Sequence, residues 1–326
     1  MMKKLVLFSL VGILACEESD QTLVNTDNQV ITQSDTTEFV RTASEMAATS
    51  KVSGKYEIIY ANNWENNPPG RYSYDQMKSE FNYGLYEWGL GKRTNIYDPK
   101  SCNVIKEGSS KFLRVSFPKG TYGANHGMSW EGELGRKYSE LYLSYDIRFK
   151  PGFNFVKGGK LFGLSGGVFT VPDPPRGMNG FDALAMWKPD GTIQSYVYHH
   201  AYRSRYGEGG NWDPALSKLV PGKWYNITVR VVMNTVGKKN GIFEAFVNGR
   251  LVFSRQNYEF RKSNLLGIHK ITFLSFFGGS SKEHASKQNE YIDFDNIRVF
   301  RYANGKGEIA GFKLSPAGYS MQIPKI

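Results

Sequence analysis

Leu141-Tyr142-Leu143-Ser144-Tyr145-Asp146-Ile147-Arg148-Phe149-Lys150 is the stretch that decides the fold class. Leu141, Leu143, Tyr145, Ile147 and Phe149 alternate with Tyr142, Ser144, Asp146, Arg148 and Lys150. Side chains two residues apart share a face of a β-strand, so this period predicts a half-buried strand. Downstream, Tyr225, Ile227, Val229 and Val231 alternate in the same way with Asn226, Thr228, Arg230 and Val232. Residues 242–247 and 250–254 flank Asn248-Gly249, the pair favoured by a type I′ hairpin turn, in which both central residues need positive φ. Residues 270–277 and 290–302 supply two more strands, with Gly278-Gly279 as a turn between them.

Upstream the β signal runs back to Phe112, and the globular part begins near residues 55–60. Residues 62–74, with Pro68-Pro69-Gly70, read as loop, and residues 74–88 leave room for one short helix. No segment of helical period matches the strands in strength, and no internal repeat is present. The expectation is all-β: a jelly-roll sandwich of two antiparallel sheets. By architectural analogy, the concave face of one sheet would form a cleft for a polymer.

The N-terminus carries an address. Met1-Met2-Lys3-Lys4 is basic, residues 5–15 form an apolar run too short to span a bilayer, and Ile13-Leu14-Ala15 leads into Cys16. A small residue before cysteine at the end of such a run resembles the bacterial lipoprotein signal, in which the cysteine is lipidated. Residues 1–15 are therefore expected to be a signal peptide, Cys16 the lipidation site, and the protein a lipoprotein of the bacterial outer membrane or cell surface. An ordinary cleaved signal peptide is the alternative. Residues 16–52, rich in Ser, Thr, Asp, Gln and Asn, cannot bury enough apolar area to offset chain entropy and read as a disordered tether. The globular domain is then 53–326. Cys102 is the other cysteine, so lipidation of Cys16 would leave it unpaired.

The 326 residues carry a formal net charge of +11, which predicts attraction to polyanions. Nucleic acid, anionic lipid and acidic polysaccharide all answer that field, but dispersed Lys and Arg on an exported protein set nucleic acid aside. Twenty tyrosines, 21 phenylalanines and 6 tryptophans suit a large β core and surfaces that stack on flat ligands. Zinc spacing, a phosphate-cradling loop and a nucleophile elbow are all missing from the sequence. No cofactor is expected. Asp293 and Asp295 resemble a glycosidase carboxylate pair, yet their place in a strand with Phe294 between them favours hydrogen bonding or a structural calcium site.

Residues 153–200 hold the candidate chemistry. Gly158-Gly159-Lys160-Leu161-Phe162-Gly163-Leu164 sets one cation among glycines, where an extended ligand can lie close to the backbone. In Tyr196-Val197-Tyr198-His199-His200 the two tyrosines share a face; His200 has their parity and His199 does not, provided the strand runs on past Tyr198. A lysine with paired tyrosines is a plausible kit for removing a proton next to a carboxylate.

Together with Ala185-Met186-Trp187, Val231-Val232-Met233-Asn234-Thr235, Asn248-Gly249, Phe276-Phe277-Gly278-Gly279-Ser280 and Tyr291-Ile292-Asp293-Phe294-Asp295-Asn296, these motifs resemble, in order, polysaccharide lyase family 14, the jelly-roll alginate and glucuronan lyases. The resemblance covers roughly residues 111–300. It implies β-elimination on a 4-linked uronic-acid polymer, alginate first, with Lys160, Tyr196 and Tyr198 catalytic. Removing the proton alpha to a carboxylate builds negative charge, so Lys160 would stabilise the carboxylate while the tyrosines act as base and acid.

In Gly180-Phe181-Asp182-Ala183-Leu184, the better-known members of that family carry serine where Asp182 stands and arginine where Leu184 stands. Losing that arginine removes a substrate-carboxylate contact for which Arg203, Arg205 or His126 is expected to compensate; Asp182, His200 and Trp187 are further expected substrate contacts, and for Trp187, as for Trp130, core packing is the competing reading. The alternative function is a non-catalytic surface lipoprotein that binds acidic polysaccharide, which Asp182 and Leu184 favour.

Overall fold

The computed structural model describes residues 56–80, 85–86, 101–123, 126–167, 180–202, 204, 206–279 and 281–302. The signal segment, Cys16 and the tether lie outside the described residues, as do Arg203 and Arg205. The strands are β1 (Tyr56–Asn62), β2 (Gly70–Arg71), β3 (Leu85–Tyr86), β4 (Cys102–Glu107), β5 (Ser110–Phe117), β6 (Met128–Tyr138), β7 (Glu140–Phe149) and β8 (Gly159–Gly167). They continue with β9 (Gly180–Trp187), β10 (Ile193–Tyr198), β11 (Glu208–Asn211), β12 (Trp224–Val232), β13 (Gly241–Val247), β14 (Arg250–Tyr258), β15 (Ile268–Phe277) and β16 (Glu290–Tyr302). Helices are short: α1 (Tyr74–Glu80), inside the predicted stretch, and α2 (Pro214–Ser217), capped by Asp213.

Two antiparallel sheets form the jelly-roll sandwich. One runs β14-β13-β12-β7-β16-β5-β4-β2, with β1 paired to β16; the other runs β11-β10-β9-β8-β15-β6-β3. The odd residues of β7 do turn inward: Tyr145 meets Phe162 of the facing sheet with ring centroids 4.9 Å apart, and Phe162 stacks on Phe294 at 4.4 Å. The even positions are less exposed than a half-buried strand predicts. Tyr142 is buried because it stacks on Phe300 at 5.1 Å, and Ser144 because Thr228 hydrogen-bonds it at 3.0 Å.

The Asn248-Gly249 turn has φ of 50° and 76°, as type I′ requires, and pairs Val247 with Arg250. Gly278-Gly279 departs from expectation. It does not close a hairpin, because β15 and β16 belong to different sheets; it opens a crossover that passes through the short 3-10 turn Lys282–His284.

Asp293 and Asp295 point away from the sheet interface, on the side of β16 opposite Phe294. Arg114 Nε reaches Asp293 Oδ1 at 2.7 Å and Arg148 Nη2 reaches Oδ2 at 2.9 Å, so both carboxylate oxygens serve a structural ion triplet. Asp295 sits opposite Asp146. The structural reading of this pair, rather than glycosidase chemistry, therefore fits its geometry.

Candidate active site

The site forms on the outer face of β8, β9 and β10. Residues paired across an antiparallel ladder share a face. Lys160 pairs with Met186, Leu184 with Tyr196, and Asp182 with Tyr198, which gathers residues distant in sequence onto one surface. Ala183, Ala185, Trp187 and Val197, of the opposite parity, belong to the main core, whereas Leu184, Leu274 and Phe276 form a separate apolar cluster against Tyr196.

Glycines make this packing feasible. A Cβ on Gly159 would lie 2.0 Å from the Trp187 ring, and one on Gly163 would lie 2.1 Å from the Ala183 carbonyl oxygen. The pairing of β8 shifts register between Lys160 and Gly163 on both its neighbours. Such a bulge re-aims side chains, and here Lys160 faces outward while Phe162 enters the core.

Lys160 Nζ lies 3.1 Å from the centroid of the Tyr196 ring and 3.2 Å from Met186 Sδ. Tyr198 Oη donates to Tyr196 Oη at 3.4 Å, the rings meeting edge-on at 5.3 Å. Desolvation pulls the Lys160 ammonium well below the ordinary lysine range, with Asp182 opposing the shift. No carboxylate among the described residues forms an ion pair with it. Burial, then the neighbouring Tyr196 and Asp182, push Tyr198 above the ordinary phenol range. An ammonium held out of water gains most when an anion arrives, and a phenol in this state is a proton donor.

Other expected residues divide. Asp182 is at the site but sunk beneath it, only 1% exposed, with Thr272 Oγ1 donating to Oδ1 at 3.1 Å. Burial first, then the Glu131 carboxylate, raise its pKa to about 8 against the pull of Thr272, Lys160 and Lys270. Trp187 is not a sugar platform: it is 0% exposed and packs edge-on against Phe149 and Phe277 at 5.8 and 5.6 Å. Its parity opposes that of Asp182 and Met186, so one strand could never present both Asp182 and Trp187 to a ligand. Trp130 is likewise core, stacked on Phe273 at 5.0 Å.

β10 ends at Tyr198, so the parity argument for His200 lapses; its N–H donates to the Glu259 carbonyl at 3.0 Å from a turn. His199 is buried, 2.7 Å from Glu208, which also holds Arg255 at 2.8 Å. His126 is exposed on a loop that Gly123 ties to the Phe277 carbonyl, and no described hydrogen bond joins it to Lys160 or the tyrosines.

Two contributors escaped the sequence reading. Met186 stood in a quoted motif without a role, although its parity with Asp182 was available as a signal. Gly207 had no local signal. It lies against Tyr196, where a Cβ would approach ring carbons to 2.7 Å, and its backbone hydrogen-bonds Tyr198.

A family model described as Polysaccharide lyase 14 matches residues 105–297. Alginate lyase Aly36B superposes with a TM-score of 0.63 at 26% identity, covering 75% of this chain and 96% of its own. A variant of that enzyme with a lysine and a methionine changed to alanine, in complex with alginate trisaccharide, superposes with a TM-score of 0.64 at 25% identity, covering 75% and 98%. The PL-14 alginate lyase of Aplysia kurodai shares the fold, with a TM-score of 0.62 at 23% identity over 74% of this chain and 98% of that one. Among curated proteins, Exolysin of Paramecium bursaria Chlorella virus 1 is 22% identical over 226 residues, 57% of this chain. The matched part is about a third (33%) of that relative's length.

Proposed function

The chain belongs to polysaccharide lyase family 14, and from that membership we propose that it cleaves a 4-linked uronic-acid polymer, alginate first, by β-elimination at Lys160, Tyr196 and Tyr198. The observation that carries this reading is the contact of one poorly solvated ammonium with a pair of touching phenols: Lys160 Nζ 3.1 Å from the Tyr196 centroid, and Tyr198 Oη 3.4 Å from Tyr196 Oη. A lysine with a methionine, and in another variant a lysine with a tyrosine, were changed in the alginate-bound forms of Aly36B. The same three residue types meet here at Lys160, Met186 and Tyr196.

In the proposed reaction the Lys160 ammonium faces the uronate carboxylate and stabilises the charge that grows on it as C5–H breaks. Tyr196 takes the C5 proton, since charge on its oxygen is met by the Tyr198 hydroxyl and by the cation at its ring. The C4–O bond breaks, C4=C5 forms, and Tyr198, kept protonated by burial, supplies the proton to the leaving oxygen. Transfer of the C5 proton from Tyr196 to Tyr198 across their contact restores the site.

Purified protein should be incubated with alginate, polymannuronate, polyguluronate and glucuronan while ultraviolet absorbance of the unsaturated uronate is followed. A rise that Lys160→Ala abolishes is expected. Polymer binding with no rise on any substrate would support the second reading, a non-catalytic binding protein, which is motivated by Asp182 and Leu184 standing where serine and arginine are expected. His126, His200, Arg203 and Arg205 remain proposed substrate contacts. Lipidation at Cys16, a tether over 16–52 and a place on the bacterial cell envelope complete the proposal; intact-mass analysis of membrane-extracted protein would reveal the lipid.

A further inference from the structure

β11, the edge strand beside the tyrosines, turns only glycine toward them. Gly209 pairs with Tyr196, and a Cβ on Gly207 would come within 2.7 Å of Cδ1 and Cε1 of the Tyr196 ring. Gly207 also hydrogen-bonds Tyr198 through its backbone. Bare main chain thus sets the Tyr196 ring from this side, and a glycine has no side chain of its own to keep it there. Between the two glycines stands Glu208, which pairs with Val197 of the core and so shares its inner face. There one carboxylate oxygen lies 2.7 Å from His199 Nε2 and the other 2.8 Å from Arg255 Nη1. His199 directly follows Tyr198 and meets the Tyr258 ring edge-on at 5.0 Å, while Arg255 comes from β14, the edge of the facing sheet. A carboxylate can only accept, so His199 presents Nε2–H to it. Burial opposes ionisation of Glu208, yet the hydrogen bonds from His199 and Arg255 hold its carboxyl below the ordinary range.

We propose that Glu208 is a positioning residue for the elimination: anchored by His199 and Arg255, it holds Gly207 against the Tyr196 ring and so fixes the contact between the two tyrosine hydroxyls. This rests on the reading that Tyr196 and Tyr198 carry the proton transfers. Stability alone does not call for such an anchor. His199 is 4% exposed and its Nδ1 has no hydrogen-bond partner, and charged groups taken out of water recover little of their desolvation, so an apolar side chain would fill the place at less cost. What an apolar side chain could not supply is direction. Two hydrogen bonds, one from the end of β10 and one from the facing sheet, leave the Glu208 carboxylate one place to sit, and Gly207 is its neighbour in the chain.

Glu208→Gln keeps the shape of the side chain but leaves one acceptor oxygen for two donors. His199→Phe, the second variant, keeps a ring against Tyr258 and removes both the hydrogen bond and the unmatched nitrogen. In each, kcat on polyuronate should fall about tenfold or more with KM within about threefold, because the reacting groups are misplaced and the polymer contacts are not. His199→Phe should do so with Tm at or above that of the parent. A second readout follows Tyr196 itself: tetranitromethane attacks the ring carbons beside the hydroxyl, one of which Gly207 covers, so Tyr196 nitration read from peptide masses should rise severalfold in both variants while Tyr225 on the other sheet keeps the parent rate. A parent kcat in both variants, a loss of kcat accounted for by loss of folded protein, or unchanged Tyr196 nitration overturns the proposal. Lack of unsaturated product from the parent would sink the lyase reading, and the nitration rates would still decide whether Glu208 holds Gly207 on Tyr196.

Discussion

Replacing Tyr198 by phenylalanine removes one hydroxyl from the site and little from the fold, because its ring can keep the edge-on contact with Tyr196 at 5.3 Å. Loss of a positioned acid typically costs about 100-fold or more, so kcat should fall by that order with KM within about threefold. A Tyr198→Phe protein that turns over at the parent rate would move the acid role elsewhere. Glycine at 163 answers to a different constraint. With the Ala183 carbonyl oxygen 2.1 Å from where a Cβ would sit, Gly163→Ala must push β8 and β9 apart, at a cost of about 1–3 kcal/mol in urea unfolding. Lys160 and Gly163 were both legible as a motif, but their different tasks were not, since the clash arises from a strand 20 positions further along the chain.

At the scale of elements, β9 has two faces with separate duties, one carrying Asp182, Leu184 and Met186 and the other Ala183, Ala185 and Trp187. Trp187→Ala should therefore behave as a core truncation, costing about 3–5 kcal/mol and lowering activity only through the loss of folded protein. Retained stability with selectively weakened polymer binding would restore the sugar-stacking role. On β16, burial and then the Asp146 carboxylate raise Asp295 to about 7, against a hydrogen bond from the Asn296 backbone and the charge of Arg298. Its folded pKa exceeds the unfolded value, so the native state binds more protons between about pH 4 and pH 7, and stability falls as pH rises through that window. Asp295→Asn should remove that decline and raise Tm at about pH 8 by a few degrees. A parallel pH profile for both proteins would refute the assignment.

For the molecule as a whole, the net charge of +11 implies long-range attraction of a polyanion, screened as salt is added. KM for polyuronate should rise severalfold between about 0.05 and 0.5 M salt with kcat little changed; a flat KM would mean that short-range contacts alone hold the polymer. The amino-acid sequence by itself determined the β character from Phe112 onward, the type I′ hairpin and the net positive charge. The first two follow from side-chain period and turn chemistry, which act within a few residues. It also brought Lys160, Tyr196 and Tyr198 to notice, through motif order. What only the tertiary structure decided is which face each strand turns outward and what lies beneath it: Trp187 in the core, Asp182 buried opposite Tyr198, Gly207 against the tyrosine pair, and Gly278-Gly279 leading across to the other sheet. Those outcomes depend on register and on a β8 bulge, set by packing among residues far apart in the chain, and no local pattern records them.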